Sequence, residues 1–445
     1  MAYRRTDGDF PYVNEALFPP RAVRREGADA AFLSLFSTLG WTGGRHRLRA
    51  GGWYTEAERG LPGPATTTPR GERQWDTHLR LWLRDDVRLG GGTLHLGTMV
   101  QRGTLRYANP QLRLDDTGRT WQASAEAEGT WAVGGRHLLG AGLAAGYARA
   151  RHPSLRDDAT ERRLGAFAHA DLGAGPARLY PALRLDVYAL PGGTRTAALS
   201  PRLGLNLRLP GGPRLKASAG RAFRVPTFND RFWQPGGDPS LRPEHGWTFD
   251  AGLYVHHHTA VLDLRAEASA FAHRLRDQIV WRPVAGGYYA PANLRRVRTR
   301  GLEASAEGRA RVGRSLVLEG GLFYTLTDAR DRSDPEAASF DQPLRYVPRH
   351  QLKAFAGATY GPLALDVTTR YVGERFVTSD GRQALPPYHV TDARLGLALP
   401  LAPARLTLDL VVENLFDRVY EGIKGYPMPP RTLRLRLGLA LGGGA

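Results

Sequence analysis

Arg431 to Leu441 reads Arg-Thr-Leu-Arg-Leu-Arg-Leu-Gly-Leu-Ala-Leu. Leu433, Leu435, Leu437, Leu439 and Leu441 fall on one face, and Thr432, Arg434, Arg436, Gly438 and Ala440 on the other. A period of two means a β-strand. One face is continuously apolar and the other carries bare arginines, which suits a wall between lipid and water. A soluble sandwich carries the same alternation, so the rest of the chain has to decide.

The pattern recurs about every 20 residues. Leu262, Leu264, Ala266, Ala268, Ala270 and Ala272 oppose Asp263, Arg265, Glu267, Ser269 and His273, and the stretches 79–84 and 405–410 repeat it. Short Gly/Pro turns at 41–44, 89–92, 133–136, 173–176, 210–213, 256–259, 311–314, 360–363 and 401–404 alternate with longer polar connections. Those lie near 14–28, 57–73, 108–117, 152–160, 191–196, 223–243, 284–294, 328–344, 378–387 and 421–429. The reading is an all-β chain: one domain over 1–445, a large antiparallel up-and-down transmembrane β-barrel of about 20 strands. Its tight turns lie on one side and its long loops on the other. A soluble barrel of this size would leave its interior unfilled, and a propeller would repeat a motif in each blade. Trp53, Tyr54, Tyr107, Tyr188, Trp281, Tyr324, Tyr371 and Tyr420, near strand ends, are expected in interfacial girdles.

Composition narrows the class. No apolar run approaches the ~18–20 residues of a membrane helix, and the polar average (mean hydropathy −0.38) is compatible with barrel strands. There are no cysteines, hence no disulfide and no thiolate metal site. The net charge of +18 comes mostly from arginines dispersed along strands. A nucleic-acid partner, which needs a basic patch or arm, is not expected. Met1 to Asp9 has no apolar segment of the signal-peptide kind, so export would rest on residues outside this sequence.

Three stretches go beyond pattern. Ala217 to Glu244 reads ASAGRAFRVPTFNDRFWQPGGDPSLRPE, Asn293 to Glu303 reads NLRRVRTRGLE, and Val412 to Arg431 reads VENLFDRVYEGIKGYPMPPR. In order, they resemble the mid-barrel, Arg-Gly-Leu-Glu and C-terminal Glu-Asn-Leu-Phe-Asp segments of TonB-dependent outer-membrane receptors. Arg59 to Gly63 resembles an early loop of the same family. The motif positions are Arg224, Pro226, Pro243, Glu244, Gly301, Glu303, Asn414 and Phe416. Pro226 and Pro243 bracket an outer loop and end strands, because proline cannot donate to a ladder.

The resemblance implies a 22-strand outer-membrane barrel with an N-terminal plug and a TonB-contacting segment. By that measure the plug, the TonB segment, a signal peptide and the first two strands are expected to be missing here. Asp9 to Asn14 is then read as an early barrel strand, and either it takes the first strand's place beside the last strand in a smaller closure or that edge stays open. Implied partners are outer-membrane lipid and lipopolysaccharide, TonB through the plug segment, and a small-molecule or metal-chelate ligand bound by a monomer.

Phe228, Phe232, Trp233, Tyr288, Tyr289, Tyr346 and Tyr426 fall on the outer loops. They are candidates for gripping a bulky ligand such as a siderophore or corrinoid, or for packing loops together. Haem is less expected, because Thr227 to Gly237 holds no histidine and His245 lies beyond it. No catalytic constellation, resident cofactor or metal site is called. His256, His257 and His258 are placed in a solvated turn with at most adventitious metal binding. Asp328, Asp331, Asp334 and Glu336 do not follow calcium-loop spacing. Three readings stay open: an importer of a scarce bulky nutrient (a ferric siderophore or cobalamin-type ligand), a passive plugless pore, and a surface binding protein.

Overall fold

The computed structural model describes residues 1–441 except 68–70, 157–158, 191–192, 194, 286 and 402–403. The side chains of Leu294, Arg295 and Leu441 also lie outside the described set. So do the centre of the expected 401–404 turn, parts of the connections at 57–73, 152–160, 191–196 and 284–294, and the Gly-Gly-Gly-Ala end.

Twenty strands build one antiparallel sheet, as the alternation predicts. From Ala30–Gly43 onward each strand pairs with the next in the chain: His46–Gly60, for example, pairs with Ala30–Gly43 on one side and Arg73–Leu89 on the other. The longest, Leu262–Pro283 and Tyr289–Val312, have 22 and 24 residues, more than the 9–11 or so a tilted strand needs to cross a bilayer. No helix of the described residues is long and apolar enough to cross a membrane.

The two faces are unlike. Leucines such as Leu79, Leu81 and Leu83 stand exposed on the outer face. On the inner face, carboxylates hold arginines between strands: Arg394 bridges Asp366 and Asp409 at 2.6 and 2.7 Å, and Asp186 takes Arg163 of the neighbouring strand as well as Arg184 of its own. Such cross-strand pairs offset part of the positive charge where the wall is solvated. The buried apolar cluster of Ala150, Leu155 and Ala159 lies at the long-loop end, with Phe228, Phe232 and Trp233 packed against it.

The start of the chain departs from expectation. Pro11–Asn14 pairs with Arg21–Arg24 as a separate two-stranded hairpin and is not a barrel strand. A four-residue run with proline at its head has too few ladder groups to hold a place in a wall of strands mostly over ten residues. Ala2–Thr6 takes that place, from Ala2 opposite Ser34 to Thr6 opposite Ala30. It therefore covers only the long-loop half of Ala30–Gly43. Among the described residues no register joins this side to Thr432–Leu441, which pairs only with Ala404–Glu413. The sheet thus has a seam. Leu433, Leu435 and Leu437 beside it are 68–73% exposed, against 38% for Leu408 and Leu410 one strand in.

Two further expectations are corrected. The aromatic girdle is incomplete: Trp281 donates to Asp230 in the outer loops, and Tyr188 packs against Phe223 and under Arg163 on the inner side. His256, His257 and His258 end the strand Glu244–His258, and the turn proper begins after them.

Candidate outer-loop ligand site

The strand Arg214–Arg224 ends where Pro226, buried, withholds an N–H. A short helix, Phe228–Phe232, follows, closed by a capping box: Thr227 Oγ1 accepts from the Asp230 amide, and Asp230 Oδ2 accepts from the Thr227 amide at 2.9 Å. The other Asp230 oxygen accepts the Trp281 indole N–H at 2.8 Å. One carboxylate thus fixes the helix start and ties it to the next strand pair.

The motif residues form a brace below this helix. Arg224 forks onto Glu244, Nε reaching Oε2 at 2.8 Å and Nη2 making a short bond to Oε1. Glu244 Oε1 also accepts the buried Ile279 amide at 2.6 Å. Arg242 pairs with Asp277, and Asn293 bonds the Arg242 backbone on both its N–H and C=O as well as the Asp277 carbonyl. Arg224, Pro226, Pro243 and Glu244 thus end strands and clamp the outer loop from below.

From the other side comes loop 152–156. Gln234 N donates to Ser154 O at 2.7 Å and Arg156 N to Phe232 O at 3.0 Å, and Leu155 bridges Trp233. The His152 ring lies 4.9 Å from the Trp233 ring, and its Nδ1 accepts from the Ser154 amide at 3.0 Å. Burial lowers the His152 pKa below the ordinary value, with the Asp116 charge acting against it. Gly237 permits the tight return of the loop, because a Cβ there would meet the Trp233 backbone at 2.5–2.7 Å.

A cavity of about 520 Å³ opens between these loops, lined by Arg156, Arg231, Phe232, Trp233, the segment 234–237 and Pro239. Arg231 is its chemical feature. It is 5% exposed, its guanidinium lies over the Phe232 ring at 5.4 Å, and its Nε and Nη1 have no hydrogen-bond partner among the described residues. Burial lowers its pKa, and the Glu161 charge works in the opposite direction. A buried N–H without a partner costs about 1–3 kcal/mol, more when the group is charged. Nη2 donates to the Pro239 carbonyl at 3.5 Å, while Nε and Nη1 are sealed from solvent, so an anionic oxygen would reach them beside the Phe232 and Trp233 rings only if the lining loop shifts. The larger cavity of about 830 Å³ lies on the outer wall among Leu83, Leu96, Leu143, Leu164 and Leu185. It faces the lipid side and is not a lumen site.

The seven candidate aromatics fall in three places. Phe228, Phe232 and Trp233 share the loop just described. Tyr288 and Tyr289 adjoin it, since Gly236 packs against the Tyr289 carbonyl and within reach of the Tyr288 ring. Tyr346 stands apart, its amide donating to Phe376 O at 2.8 Å and Arg345 over its ring. Tyr426 meets Arg25 of the N-terminal hairpin at 5.9 Å. The remaining motif positions have other duties. Gly301 lets Phe271 and the Leu326 carbonyl close in. Asn414, at φ 52, donates to the Arg418 and Pro429 carbonyls, holding a turn. Glu303 lies between Ser269 and Thr325 in the ladder, and Phe416 is exposed. Sequence reasoning missed Arg231, Arg156 and His152; the only available signal was a charged residue between aromatics, at Asp230-Arg231-Phe232.

Comparison with known proteins agrees with this architecture. The Vitamin B12 transporter BtuB of Vibrio vulnificus is 28% identical over 206 residues, 46% of this chain and 30% of that protein. Its counterpart in Photobacterium profundum is 25% identical over 223 residues, 49% of this chain and 34% of that one. The matched part thus spans about a third of these curated relatives. Among solved structures, the copper transporter OprC superposes with a TM-score of 0.76 at 17% identity, covering 98% of this chain and 74% of that one. The ferric citrate transporter FecA gives 0.74 at 15%, covering 94% and 72%. At such identities the structures speak for the fold alone. These proteins are transporters and receptors, not enzymes. The family model for the TonB-dependent receptor-like β-barrel matches residues 2–415, and the chain belongs to that outer-membrane family.

Proposed function

We propose that this barrel gathers and conducts a bulky metal-centred nutrient, a ferric siderophore or cobalamin-type ligand, in a TonB-dependent importer. In this reading the ligand is taken up by outer loops, a plug gates the lumen, and TonB supplies the energy. The barrel sits as a monomer among outer-membrane lipid and lipopolysaccharide. The observation that carries the ligand class is Arg231: a buried cation, two of whose N–H groups have no partner among the described residues, beside Phe232 and Trp233 on the wall of a cavity between the outer loops. That set suits a large, flat chelate with an anionic edge. The likeness to vitamin B12 transporters supports the corrinoid branch, and the net charge of +18 supports an anionic one.

The test is equilibrium binding of cyanocobalamin, ferric citrate and a ferric catecholate to the folded chain in detergent. One of them is expected to bind, and Arg231→Gln should weaken it about tenfold or more, as for a lost charge-assisted hydrogen bond of ~1.5–3 kcal/mol. Unchanged affinity in that variant would remove the cavity from the reading.

A further inference from the structure

At the opposite end of the same strand, three histidines stand in a row. Strand parity separates them. His257 opposes Leu264 on the apolar face, while His256 and His258 oppose Arg265 and Asp263 on the polar, inner face. The two inner rings converge on one atom. His258 Nδ1 lies 3.1 Å and His256 Nε2 3.3 Å from Asp263 Oδ2. The three ligand atoms all lie within 4.8 Å of one another. Arg265 Nε sits 3.2 Å from the other Asp263 oxygen and leaves Oδ2 turned toward the rings.

The turn beneath is already fixed. Thr259 N donates to Leu262 O at 2.7 Å, and Thr259 Oγ1 accepts from the Leu262 amide at 3.0 Å. Tetrahedral zinc with bonds of about 2.0–2.2 Å spaces its ligand atoms roughly 3.3 Å apart. Two of the three edges here already have that length, so small ring rotations suffice to admit an ion. Two imidazoles and one carboxylate favour Zn2+, Cu2+ or Ni2+ over Mg2+ or Ca2+.

We propose that His256, His258 and Asp263 bind one divalent transition-metal ion at the short-turn rim of the lumen. One coordination position stays open to the mouth. The strand Glu244–His258 runs from the Glu244 brace to this rim, roughly 45 Å at about 3.3 Å per residue. The ion site is therefore separate from the outer-loop cavity and does not depend on it.

The experiment is titration of the full folded chain in detergent with Zn2+, alongside electron paramagnetic resonance of the Cu2+ form. One Zn2+ per chain is expected, with two nitrogens in the Cu2+ spectrum. His256→Ala, His258→Ala and Asp263→Asn should each weaken binding about tenfold or more, and each histidine variant should lose one nitrogen signal. His257→Ala should bind as the parent does. Circular dichroism and heat-modifiable gel mobility confirm that every variant is folded. Three results would overturn the proposal: no stoichiometric Zn2+ binding, full binding in the His256→Ala/His258→Ala double variant, or equal loss in His257→Ala, which marks an unstructured histidine run.

Discussion

Removing the Glu244 carboxylate is expected to loosen the outer loops without unfolding the wall. Glu244→Ala leaves three donors unmet: Arg224 Nε and Nη2, and the buried Ile279 amide. The orphaned backbone N–H costs about 1–3 kcal/mol. Breaking a fully buried ion pair would cost ~3–5 kcal/mol. The Arg224 side chain, however, is 46% exposed and can turn to water or toward Asp230, 3.8 Å away. Its share falls to about 1 kcal/mol. The sum, ~2–4 kcal/mol, raises local opening roughly 30- to 900-fold at 1.36 kcal/mol per decade. The twenty-strand ladder does not pass through this carboxylate, so the loss stays local. Hydrogen exchange reads it directly: peptides covering 225–243 and 276–283 should exchange faster by that factor, while strands at the short-turn end keep their protection. Glu244→Gln, which keeps an acceptor for Ile279, should fall between the two. Exchange in Glu244→Ala indistinguishable from the parent would refute the brace.

Acidification should release the clasp between loop 152–156 and the helix. Burial holds His152 neutral, so the folded loop binds a proton less readily than the unfolded one. The contact is intact above the unfolded pKa of about 6.5 and is lost as pH falls through the lowered folded value. The Gln234 amide should exchange faster over that window, and His152→Phe, which keeps the stacking, should abolish the pH dependence. Gly301→Val should cost about 1–3 kcal/mol or more by overpacking, since its Cβ meets the Leu326 carbonyl, which cannot turn aside, and Phe271 ring atoms at 2.5 and 2.9 Å. The urea midpoint of the folded form should fall, and Phe271→Ala in the same chain should restore only part of it.

The wall was legible because its physics is local. A bilayer outside and water inside force a period of two, so Leu262 to Ala272 against Asp263 to His273 carry their orientation in the sequence itself. Ala2–Thr6 was not legible, because all five residues are exposed and nothing alternates in their burial. Pro11–Asn14 was misread for the converse reason: a surface hairpin carries the same alternation as a wall strand. The brace was half legible. The Arg224 and Glu244 motif stood out, but that they grip each other depends on the loop's return. Arg231 was invisible among so many arginines, since its burial is a property of the converging loops and not of its place in the chain. His256 and His258 were noticed but placed one element too late, and the split by parity emerged only with the register against Asp263.

The seam sets a condition on any form of this protein that sits in lipid. Along Thr432–Leu441 about half of the ten residues turn their N–H and C=O groups away from Ala404–Glu413. Hydrocarbon offers these groups nothing, and each left bare costs several kcal/mol. The total reaches tens of kcal/mol, more than the ~5–15 kcal/mol by which a folded domain usually outlasts its unfolded chain. An embedded barrel therefore has hydrogen-bonding backbone laid along that edge, beside the exposed leucines at 433, 435 and 437.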